Sequence, residues 1–168
     1  MRFKRAAARL VLPLLAMCLT MTQPAADAAV PGLAHEVYMT GQMSINDHED
    51  LGTDEHGSFR ITGNTRLTTD RANSTIIIER CFGEGAFGYL IVDVWLTADD
   101  ENVRASAQLW LNESDTCPNF DRKGYSLLPE LAIKPNTSRD GIKMTARNTA
   151  ENQPRDFVAV VFNLSHET

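Results

Sequence analysis

Apolar and polar residues alternate along nearly the whole chain after residue 36. In "VYMTGQMSI", residues 37–45, Val37, Met39, Gly41, Met43 and Ile45 share one side, and Tyr38, Thr40, Gln42 and Ser44 share the other. A period of two is the mark of a half-buried β-strand. The same reading applies to "SFRITG" and "TRLTT" at 58–69, "STIIIERC" at 74–81 and "AFGYLIVDVWLTA" at 86–98. It extends to "VRASAQLWL" at 103–111, "GYSLLPELAI" at 124–133, "DGIKMTARN" at 140–148 and "RDFVAVVFNLS" at 155–165. Turn-forming stretches separate them: "DRANS", "GEGA", "ADDEN", "KPNTSRDG" and "AENQPRD". No segment of this part holds a helical period. The expectation is an all-β chain, an antiparallel sandwich of about eight strands. "DFVAVVFNL" is apolar on both sides and is expected at the centre of its sheet.

Gap-free alignment of residues 37–60 on 103–126 brings Val37 over Val103, Gln42 over Gln108 and Asn46 over Asn112. The apolar sides stay in phase. Both copies then carry acid-x-acid-x5-acid: Asp47, Glu49 and Glu55 in the first, Glu113, Asp115 and Asp121 in the second. Strands that alternate in direction, with 58–69 as one bent strand, put the first, third and fifth connections at one end of the domain. Both acidic stretches then lie at that end. So do Cys81 at the third connection and Cys117 within the fifth.

The opening 28 residues change the account of charge and compartment. A basic start (Arg2, Lys4, Arg5, Arg9), an apolar run of 12 residues and the small-x-small pair Ala26 and Ala28 make a secretory signal, residues 1–28. The run is too short to span a bilayer, and no other approaches that length. Met17 before Cys18 does not fit a lipidation site. The expected mature chain, 29–168, is a single domain. Loss of four basic residues and Asp27 takes the net charge from −6 to −9. That excludes a nucleic-acid partner, which needs a basic footprint, and suits cations or a basic protein. In an oxidising compartment Cys81 and Cys117 read as one disulfide.

Residues 45–57, "INDHEDLGTDEHG", hold five carboxylates: Asp47, Glu49, Asp50, Asp54 and Glu55. Like charges repel by about 1 kcal/mol per pair at ~4 Å in water. The stretch is therefore either splayed into solvent or bridged by a cation. Calcium takes six to eight oxygens, which two spaced acidic loops supply. The helix–loop–helix calcium motif does not fit, since no helices flank the stretch. The candidate calcium set is Asp47, Glu49, Glu55, Glu113, Asp115 and Asp121. "EDLGTDEHGS" and "ESDTCPNFDRKG" resemble the first and third calcium loops of the C-two family, sandwich domains of eight antiparallel strands. That resemblance implies calcium held by Glu49 and Glu55 from one loop and by Glu113, Asp115 and Asp121 from the other. It also implies bridging to an anionic lipid head group. The chain has Glu at 49, 55 and 113, where that family prefers Asp.

Other motifs point less far. Gly83, Gly85 and Gly88 form G-x-G-x-x-G, but a strand-like run follows, so a hairpin turn is expected. His35, His48, His56 and His166 lack a metal-ligand spacing and are read as surface residues; His48 and His56, beside Glu49 and Asp54, are the nearest thing to a zinc set. No nucleophile motif is present, so no enzyme is expected. Trp110 lies opposite the Leu109 and Leu111 side and is either a packed residue or a sugar- or protein-binding aromatic. The expected function is a secreted, non-enzymatic binding module that holds calcium and presents it to a lipid head group or glycan. The alternative is a calcium-independent module that engages a basic protein.

Overall fold

The alternation becomes eight strands. The computed structural model describes residues 33–48, 55–83, 85–99, 101–113, 121–149 and 156–168. The strands are β1 (His35–Asp47), β2 (Glu55–Leu67), β3 (Asn73–Phe82), β4 (Ala86–Leu96), β5 (Val103–Glu113), β6 (Arg122–Ile133), β7 (Thr137–Arg147) and β8 (Phe157–Glu167). They form two four-stranded antiparallel sheets, β2-β1-β8-β7 and β3-β4-β5-β6. Among the described residues there is no helix. Residues Pro31–Thr168 fall into one compact unit.

One face of each sheet is apolar, and the two faces share a core. Val37, Met39, Met43 and Ile45 of β1 are buried with Val158, Val160, Phe162 and Leu164 of β8. The opposite sheet contributes Leu90, Val92 and Val94 of β4 and Ala105, Ala107, Leu109 and Leu111 of β5. Fully burying a side chain of this size contributes about 1.5–3 kcal/mol.

Strands adjacent in sequence are adjacent in space throughout, and β8 returns beside β1. This is an up-and-down order, unlike the Greek key of most sandwiches. The chain changes sheets twice, at β2/β3 and β6/β7. Thr65 Oγ1 donates to Ser74 Oγ at 2.7 Å across the first corner. Arg139 Nε donates to the Ala132 carbonyl at 3.0 Å across the second. At the opposite end of β6 and β7 a Cβ on Gly124 would overlap the Arg147 backbone.

The strand order maps onto itself when four is added to each strand number: β2-β1-β8-β7 becomes β6-β5-β4-β3. The 37–47 and 103–113 stretches, aligned from sequence, therefore occupy equivalent inner strands. Their burial runs in phase, from Val37 and Val103 to the buried pair Asn46 and Asn112.

Two expectations need adjustment. Residues 134–141 are not one long turn. Asn136 adopts φ 53 and Thr137 N donates to the Lys134 carbonyl at 3.3 Å, which closes a tight turn. The strand then begins at Thr137 and absorbs one extra residue as a bulge at Asp140 and Gly141, the latter at φ 65. Residues 58–69 do form one strand through Leu67. β8 is central in its sheet, but its second side is not buried: Val161 is exposed and Phe157 and Ala159 are half-buried.

Candidate functional site

Antiparallel order puts the connections after β1, β3, β5 and β7 at one end, and hydrogen bonds tie them together. Asp47 and Glu55 face each other in register at the mouth of the β1–β2 hairpin. Gly83, the β3–β4 turn residue at φ 65, lies beside both: a Cβ there would collide with the Asp47 carboxylate and come 3.4 Å from that of Glu55. His48 N donates to Asp156 Oδ1 at 2.6 Å, which joins the first connection to the seventh. Asn148 Nδ2 donates to Glu113 Oε1 and Oε2 at 3.0 and 3.2 Å, which joins the seventh to the fifth.

Backbone pairing continues past the strand ends. Glu113 N donates to the Asp121 carbonyl, and Asn148 N to the Asp156 carbonyl, each at 3.0 Å. The carboxylates are therefore presented from rigid strand ends. Charge is offset locally: Lys123 Nζ lies 2.9 Å from Asp121 Oδ2, an amide faces Glu113, and a backbone N–H faces the buried Asp156. Such charge-assisted bonds are the stronger kind.

Of the sequence-derived calcium set, Asp47, Glu55, Glu113 and Asp121 are at this end. Glu49 and Asp115 lie outside the described residues. Among the described residues no three His, Cys, Asp or Glu side chains form a metal-binding group. The Asp121 carboxylate is turned toward Lys123 and largely exposed. Cys81, on β3, is exposed. Cys117 lies outside the described residues.

Asn148 and Asp156 were missed from sequence. Their signal is position: they flank the seventh connection, which the parity argument places at the same end once it is carried past the fifth.

The outer face of β3-β4-β5-β6 departs from a solvated surface. Tyr89, Trp110 and Tyr125 stand in register across β4, β5 and β6. The Trp110 and Tyr125 rings are 5.5 Å apart, and the Arg122 guanidinium sits 4.1 Å from the Trp110 centroid. Tyr125 is 64% exposed, Leu127 60% and Ile77 51%. Trp110 is thus both packed and outward-facing.

The surface reading of the histidines is corrected at two positions. His35 and His166 are buried, 1% and 0% exposed, at the far end of the sandwich. His56 is exposed, as expected, and His48 half-buried. Of "GEGAFG", Gly83 lies in the β3–β4 turn and Ala86, Phe87 and Gly88 are in β4. Among the described residues no helix is long and apolar enough to cross a membrane. No protein-family model, curated protein or solved structure matches the chain.

Proposed function

We propose that this chain is a secreted, non-enzymatic binding module whose acidic end takes calcium and offers it to a lipid head group or glycan. The observation that carries the reading is the shared end: Asp47 and Glu55 meet beside Gly83, while Glu113 is tied through the seventh connection to the first. Carboxylates and amide or backbone oxygens fixed on strand ends are the hard donors calcium prefers. The doubled spacing and its likeness to C-two loops favour the same ion. The signal-like residues 1–28 support export.

Cys81 is proposed to form a disulfide with Cys117. Cys81, Phe87, Asn112 and Arg122 follow one another across the outer face in strand register. Phe87 and Asn112 are buried there, although their outward neighbours Tyr89 and Trp110 are only half-buried. A bridge from Cys81 to the fifth connection is consistent with a covered row at this place. Non-reducing peptide mapping should recover residues 81 and 117 in one linked fragment; two free thiols would contradict it.

The test of the calcium reading is a binding isotherm on the intact chain and on Asp47→Asn and Glu113→Gln. Loss of one carboxylate should weaken calcium binding tenfold or more without loss of the fold. Unchanged binding in both variants removes these residues from the site. A second reading, a calcium-independent protein-interaction module, is favoured by the Tyr89–Trp110–Tyr125 row with Arg122. Trp, Tyr and Arg are the residue types that dominate protein interfaces. That reading predicts no calcium isotherm at all.

A further inference from the structure

The far end of the sandwich carries a contact with no part in the acidic site. His35 Nδ1 lies 2.8 Å from His166 Nε2, with ring centroids 5.0 Å apart. His166 Nδ1 lies 3.2 Å from the Ile133 carbonyl. A carbonyl only accepts, so His166 Nδ1 carries the hydrogen. In the neutral ring Nε2 is then a lone pair, and His35 Nδ1–H donates to it. The relay runs from β1 through β8 to the end of β6, and so crosses from one sheet to the other. As drawn, the contact needs the lone pair of a neutral His166 Nε2. A proton there sets it against the His35 Nδ1–H unless that ring moves its own hydrogen to Nε2, and in either tautomer a charge on a buried ring without a counter-ion is costly.

The charged groups around the pair do not supply that counter-ion. On β1 and β2, Glu36 is engaged by Arg66 at 3.5 Å. Glu101, from the β4–β5 connection, and Lys134, after β6, line the same hollow as His35. On β7, Thr137 is the register partner of His166, and Arg139 is bonded to the Ala132 carbonyl. On β8, Glu167 is exposed. Among the described residues no carboxylate forms an ion pair with either ring.

We propose that His35 and His166 form a proton-operated clasp on the β1–β8 seam, closed when neutral and opened by acid. Burial is the main cause that holds the His166 imidazole below its ordinary range, His35 adds to it, and the Ile133 carbonyl opposes it. The sign follows. Above about pH 6.5 the ring is neutral folded and unfolded, and the full stability is present. As pH falls below that value the unfolded chain takes up a proton that the folded pair resists. The folding equilibrium constant then drops by up to about tenfold per pH unit for each such proton. The loss levels off once the folded ring protonates.

The experiment is an NMR titration of the intact chain from pH 8 to 4.5, reading imidazole shifts and backbone amide exchange corrected for its intrinsic pH dependence. His166 should titrate below free histidine. Protection at Val37, Met39 and Leu164, near the clasp, should fall with it, while Ile45 and Val158, at the other end of the same seam, stay protected. A His166 midpoint at or above that of free histidine, or equal loss along the seam, overturns the proposal. A His35→Phe, His166→Phe double variant should lose the pH response at the clasp end. If it folds and keeps that response, the clasp is refuted; if it does not fold, the wild-type titration decides.

Discussion

Asn112 is fully buried, yet neither polar atom of its side chain has a hydrogen-bond partner among the described residues. Leaving such a group unbonded costs about 1–3 kcal/mol, whereas an apolar replacement of similar shape carries no such cost. Asn112→Leu should therefore leave the fold as stable or raise its stability by about 1–3 kcal/mol, read as the denaturation midpoint at constant m-value. A loss of that size would mean that the amide is satisfied after all. The buried histidines are the opposite case, polar groups that satisfy each other. They were read as surface residues, although the strand phase carries their burial. His35 continues the Val37, Met39 side of β1, and His166 continues the Phe162, Leu164 side of β8. Their contact was not legible, because it depends on β8 returning beside β1, a pairing between the ends of the domain that local alternation does not encode.

The strands and the turns between them were readable because period-two alternation and turn residues are local signals. Close contacts between the sheets were not. Nothing in the alternation of β6 says that its Gly124 must pass against the backbone of Arg147. A Cβ there overlaps a carbonyl that cannot rotate aside. Overpacking of this kind costs about 1–3 kcal/mol, and Gly124→Ala should sit at the upper part of that range. Unchanged thermal stability in that variant would show the contact to be looser than described. Pro129 was also silent in the sequence. It lies where β6 has two residues against the single Ser106 of β5, a bulge on a strand at the edge of its sheet. A residue with no N–H to donate is tolerated there.

The unit Pro31–Thr168 pairs two four-stranded sheets and carries a different chemistry at each end. β1 alone runs from the histidine clasp at His35 to the acidic mouth at Asp47, a span of roughly 40 Å at strand rise. The self-matching strand order explains why two acidic copies aligned without a gap fall at one end. β1 and β5 are equivalent inner strands that finish on the same side. Parity revealed that end from sequence alone. Carried past the fifth connection it also brings Asn148 and Asp156 there, but it says nothing of the bonds that their side chains make to Glu113 and His48. The most direct test of calcium at this end is differential scanning calorimetry of the intact chain in millimolar calcium against chelator. A ligand bound only to the folded state stabilises it by about 2.7 kcal/mol at a hundredfold excess over its dissociation constant. The account predicts a melting temperature raised by several degrees in calcium, with most of the rise lost in Asp47→Asn and Glu113→Gln. Identical melting curves in calcium and chelator would contradict it.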